Sequence, residues 1–190
     1  FTNIRQINFM LDGLKISTLP TNRKTQYAAI ARLNRAWVYY QLVKMYGDIQ
    51  WESNVIDDVN SEDVYGPRTD RDIVMDSVLQ DLDYAVQHIP SNTADKTLWS
   101  KELALAMKSD VCLYEGTFCK YRTLADNGKA PDLSRANHYL QECANASESL
   151  GNSHSMHGLP MQVERFIRFI IPWIYLPIKK LSSITIMKKM

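Results

Sequence analysis

Residues 25–46 carry more apolar surface than a single helix interface can cover. Ala29, Leu33, Ala36, Tyr40 and Val43 recur at the spacing of one helix face. Ile30, Trp37 and Leu42 widen that stripe. A helix this broad in its apolar face packs on more than one side. Gly47 stands at the C-cap, where a left-handed backbone ends a helix at little cost. Residues 48–51 are expected to leave in extended form.

The same periodicity predicts four further helices. Ile4, Ile7, Leu11 and Leu14 mark one over 4–14, with Pro20 in the loop behind it. Val74, Val78, Leu82, Ala85 and Ile89 mark another over 70–89, with Thr69 or Asp70 as N-cap and Pro90 as the stop. Leu103, Met107, Val111, Tyr114, Phe118 and Tyr121 line a helix over 101–122, with Ser100 as N-cap. Its small residues, Ala104, Ala106, Ser109 and Gly116, lie elsewhere and let neighbours approach. After a loop at 126–131, Leu133, Ala136, Leu140 and Cys143 or Ala144 mark a helix over 132–150. Four of the helices fall into two pairs of roughly 70 residues, and Ala31 and Ala36 echo Ala104 and Ser109 in the first helix of each. Small residues where helices cross are what stacked repeats need. The expected fold is all-α, a tetratricopeptide-like array of stacked helix pairs (an α-α superhelix) forming part of a domain.

With 22 basic and 21 acidic residues in 190, the net charge is +1, which gives neither a nucleic-acid nor an acidic-partner footprint. Ten Tyr and four Trp suit a packed core and carbohydrate stacking equally. Cys112, Cys119 and Cys143 do not make an even disulfide set. Seven residues along one helix separate Cα atoms by about 10 Å, too far for a Cys112–Cys119 bridge. All three read as small apolar core residues. No stretch reaches about 18 uninterrupted apolar residues. The chain opens Phe-Thr-Asn-Ile with no Met, so a leader segment is expected upstream, removed or not captured.

Residues 161–190 change character: no Asp, Gly or Ala, one Glu and seven Ile. An amphipathic membrane-surface segment, a core strand and an out-of-frame end all fit; we read it as frameshifted.

Little catalytic chemistry is present. Asp57-Asp58, Asp81 and Asp83 face no partner carboxylate that would suit glycoside hydrolysis, and read as a solvated face. His154 and His157 have a metal-like spacing in a Ser/Gly-rich junction, where chance spacing is the plainer reading. Asn145-Ala-Ser147 is a formal glycosylation acceptor, a short pattern that often arises by chance. There is no phosphate loop, nucleophile elbow or Cys-x-x-Cys, so neither an enzyme nor a cofactor is expected. Trp51, beside Glu52 and Asn54, and Trp99, beside Lys101, sit in loops; each could stack on a sugar ring or anchor its loop.

Three blocks in order carry a resemblance. They are Arg35-Ala36-Trp37-Val38-Tyr39-Tyr40 running to Tyr46-Gly47-Asp48-Ile49; Arg68-Thr69 leading to Asp81-Leu82-Asp83-Tyr84-Ala85 and Ile89-Pro90; and Ala104 through Leu113-Tyr114-Glu115-Gly116-Thr117-Phe118 to Lys120-Tyr121. Together they resemble the SusD/RagB family over residues 1–150, with 151–190 as an atypical tail. The resemblance implies a fragment of a longer outer-membrane lipoprotein exposed at the cell surface, its signal peptide, lipid-bearing cysteine and large C-terminal half lying outside this sequence. It also implies capture of a polysaccharide or oligosaccharide and delivery to a TonB-dependent transporter of the SusC type. Family glycan contacts vary and fall largely outside the matching blocks, so none is carried over, which leaves Trp51 and Trp99 as the only candidates. Arg35 and Asp48 match family positions and are expected to determine the fold, by pairing or local capping. The rival reading is a helical-repeat adaptor that binds a protein or peptide on a concave face.

Overall fold

The structure, a computed structural model, describes residues 2–55, 65–91 and 99–152. Six helices occur among them: α1 (Thr2–Ile16), α2 (Thr21–Tyr46), α3 (Arg71–His88), α4 (Lys101–Tyr121), α5 (Leu124–Asn127) and α6 (Leu133–Asn152). The described residues form no strand, only an isolated antiparallel bridge between Ile49 and Thr69. No helix among them is long and apolar enough to cross a membrane. The all-α architecture is the one expected. His154, His157, Asp57, Asp58 and the tail beyond 152 lie outside the described residues.

The chain divides into two compact units, residues 1–107 and 108–190. In the first, α2 packs against both α1 and α3. That satisfies its broad apolar face: Ala29, Leu33, Ala36, Tyr40 and Val43 are all buried. Trp37, expected to widen the stripe, instead stays 39% exposed, and Tyr39 on the next face is fully buried. α2 begins at Thr21, a turn earlier than the periodicity suggests, because its first turn is polar and leaves no apolar signal. The Pro20 carbonyl accepts from the Arg23 and Lys24 amides, both at 3.0 Å. At the other end Gly47 takes φ 70° and donates to the Val43 carbonyl, closing the helix as expected. Asp70 caps α3 by accepting from the Asp72 amide, and Asp48 accepts from the Arg71 amide at 2.9 Å.

In the second unit α4 meets α6 at Gly116. A Cβ there would lie 2.8 Å from Leu140 Cγ and 3.1 Å from the Ala136 carbonyl, so only glycine allows this approach. Ser109 bonds Ser147 (2.7 Å) and Cys143 (3.4 Å) across the same pair. The buried side of α4 is therefore its small face, with Ala104, Cys112, Glu115 and Cys119 fully buried. Of the large stripe expected inside, only Val111 is fully buried; Tyr121 is 70% exposed. Close helices take small residues between them and push bulky ones to the edge. Leu133, expected in the α6 core, is also exposed; it is the first helical residue, and the buried face of α6 starts a turn later at Ala136. The three cysteines are buried, as expected of core residues, and form no disulfide among the described residues. The turn α5, capped by Thr123 and Asp126, overlaps the start of the loop expected at 126–131.

Candidate functional site

Arg35 occupies the middle of α2 and is almost fully buried, which requires a partner. It finds one in Asp81 of α3: Nε donates to one carboxylate oxygen at 2.7 Å and Nη2 to the other at 2.9 Å. Two parallel bonds to one carboxylate are the strongest geometry a guanidinium offers. Asp81 is thus buried at the helix interface, not part of the solvated face read from the sequence; the next acidic residue, Asp83, is half-buried. Arg35 does not pair with Asp48, which instead holds the start of α3.

Arg35 Nη1 also donates to Asn8 Oδ1 of α1 at 3.0 Å. Asn8 in turn donates to the carbonyls of Glu52 (2.9 Å) and Asn54 (3.0 Å). The Tyr39 hydroxyl accepts from the Glu52 amide at 2.7 Å, and burial pushes its pKa up to about 12. Trp51 lies against Tyr39 with ring centroids 4.3 Å apart, while its amide donates to Thr69 Oγ1. Three helices and the extended segment after Gly47 are therefore laced by one polar network.

The network floors a cleft of about 450 Å³ lined by residues of α1, α2, α3 and the segment at 53–54. Lys15, Lys24, Arg32 and Arg35 supply four cations to its lining, and Asp12 one anion. Arg32 lies over the Tyr84 ring at 4.1 Å and reaches Asp81 only at 4.0 Å.

Of the two tryptophans singled out from sequence, neither lines this cleft. Trp51 is half-buried in its contact with Tyr39, and Trp99 is 38% exposed beside Ser100, the residue at the start of α4. Sequence reasoning missed Asn8, Arg32 and Tyr84. A signal was present, because Arg32 and Arg35 share one face of α2, as Asp81 and Tyr84 share one face of α3. That these two faces meet is a tertiary fact with no sequence mark.

Comparison with known proteins places this framework. A SusD-like family model described as starch-binding associating with outer membrane matches residues 1–113. SusD-like protein P2 of Formosa agariphila is 32% identical over 99 residues, 52% of this chain and 19% of that protein. A SusD homolog from Bacteroides thetaiotaomicron superposes with a TM-score of 0.65 at 22% identity, covering 84% of this chain and 29% of its own. A laminarin-binding SusD-like protein gives a TM-score of 0.60 at 18% identity, covering 79% and 28%. The chain thus spans about a fifth of the curated relative and under a third of these solved structures. With more than half its length matched by the family model and its helical fold shared with these structures, the chain belongs to the SusD-like family.

Proposed function

We propose that this chain is part of a glycan-binding protein at the outer-membrane surface, which captures oligosaccharides and hands them to a SusC-like TonB-dependent transporter. The observation that carries the reading is the family match over residues 1–113. A relative of the same fold is a laminarin-binding protein, which supports a glycan as ligand. We assign residues 1–150 to the family's helical region and 151–190 to a separate tail.

The role is binding rather than turnover. Asp12, in the cleft lining, and Asp81, in the buried network, are held in ion pairs with Lys15 and Arg35. A glycosidase needs two carboxyl groups free to face one glycosidic bond. Trp99, with its ring partly open to solvent, is the better placed of the two tryptophans to stack on a sugar. Trp51 has its ring committed to Tyr39.

Affinity electrophoresis through gels cast with soluble starch, laminarin and xyloglucan tests the reading. Retardation by at least one polysaccharide, with no reducing ends released, is the expected result. Co-purification of a TonB-dependent transporter from outer membranes tests the delivery step. Capture of a peptide partner with no retardation in any gel would favour the adaptor instead.

A further inference from the structure

We propose that the cleft bounded by Lys24, Arg32 and Asn54 binds the carboxylate of an acidic sugar residue, an inference that rests on the glycan-binding reading and names its ligand class.

The charge balance of the cleft points there. Among the described residues, Asp12 pairs with Lys15 and Asp81 with Arg35, while Arg32 meets Asp81 only at 4.0 Å and Lys24 has no ion pair. Arg32 Nε is buried and has no hydrogen-bond partner among the described residues. A buried donor left unmade is costly, and Asp81 does not relieve it, because its nearest oxygen stands 4.0 Å from Nε, beyond hydrogen-bond reach. An oxoanion seated in the cleft would supply the Arg32 guanidinium with a counter-charge closer than Asp81. The Arg32 side chain as a whole is 39% exposed and so within reach of a ligand.

The aromatic at this site favours charge over ring stacking. Arg32 and His88 both lie 4.1 Å from the Tyr84 centroid, so the ring is already engaged by two groups. Tyr84 therefore offers less open face to the apolar side of a neutral sugar than a free ring would. It serves instead to hold the guanidinium flat and oriented. Exposed Ser53 and Asn54 stand at the rim, where a hydroxyl and an amide suit sugar hydroxyl groups. The volume falls within the ~300–1,000 Å³ of small-molecule sites, more than a bare ion needs.

Titration calorimetry of the full chain with digalacturonate, its neutral counterpart galactobiose, and sodium sulfate tests this. Digalacturonate is expected to bind at least about tenfold more tightly than galactobiose, as one charge-assisted bond allows. Its affinity should fall as salt is raised to about 1 M. Arg32→Gln should weaken it about tenfold and Lys24→Gln a few-fold, with the helical circular dichroism unchanged. Lys24 is half-buried and outside the buried network, so its substitution reads binding even if Arg32→Gln disturbs the fold. Equal binding of the neutral disaccharide, or indifference to both substitutions, would overturn the proposal. Sulfate binding as tightly as digalacturonate would overturn the sugar assignment and leave an oxoanion site. If starch or laminarin binds and digalacturonate does not, this inference fails while the general glycan reading stands; if no saccharide binds, both fail.

Discussion

The two units of this chain solve the same problem, joining helices closely, with different emphasis. The α1–α3 unit uses charge: Arg35, Asp81 and Asn8 exchange hydrogen bonds across three helices and pin the segment at 52–54. The α4–α6 pair has a cross-helix ion pair, Lys108 with Glu142, and adds absence of bulk: Gly116 lets Leu140 approach to a distance that excludes any Cβ. The second unit also buries an acid, Glu115. Arg135 approaches it at 3.5 Å and Cys119 donates a thiol bond at 3.2 Å. A charge network fixes orientation as well as distance, so it suits the unit that shapes a cleft. Close packing fixes distance alone.

If that contrast holds, the largest loss comes from breaking one half of the charge pair. Asp81→Ala leaves Arg35 buried without a counter-charge and should cost about 3–5 kcal/mol in a denaturant melt. Replacing both partners, Arg35→Met with Asp81→Leu, should recover most of that loss, because the isolated charge is then gone. A double variant as unstable as the single would show that the pair itself, not the orphaned charge, carries the effect.

Gly116→Val probes the other mode. Its side chain must displace Leu140 or the α6 backbone, at about 1–3 kcal/mol. Leu140→Ala in the same chain should return only part of that, since the Ala136 carbonyl stays in the way. A melt unchanged by Gly116→Val would remove the close-packing side of the comparison.

Tyr39→Phe is smaller again. It removes the acceptor for the Glu52 amide and should cost about 1 kcal/mol. The same residue gives a pH test. Burial raises Tyr39 from 10.0 to about 12, and burial raises Cys119 from 9.0 to about 12, with Glu115 adding to it. Between pH 9 and 12 the unfolded chain therefore sheds protons that the folded chain keeps, and stability falls as pH rises through that window. Tyr39→Phe should flatten the fall above pH 10, and the Cys119 thiol should resist alkylation until the chain unfolds.

The smallest effect belongs to Trp99→Ala. Its ring is partly exposed and should change stability by no more than about 0.5 kcal/mol, while lowering polysaccharide retardation if the ring stacks on sugar.

The sequence reveals the helices better than their contacts. The stripe Ala29–Leu33–Ala36–Tyr40–Val43 is buried as its periodicity requires, because an apolar repeat at helical spacing has few other uses. The α4 stripe misleads for a physical reason. Periodicity weighs large apolar residues, but at a close crossing the small ones go inside, and Tyr121 is left at the edge. Arg35 is legible as a fold-determining residue, yet its partner is not: Asp81 lies 46 residues away and looks like one more surface acid. The cleft is the least legible feature. Arg32, Lys24 and Tyr84 are unremarkable singly and acquire meaning only once α2 and α3 bring their faces together.

The most direct test of the glycan-binding reading is calorimetric titration of the chain with a panel of soluble neutral and acidic polysaccharides. Saturable heat with at least one of them, and no release of reducing sugar, is the result this account requires. Absence of binding to every member of the panel by a chain whose circular dichroism is fully helical would contradict it.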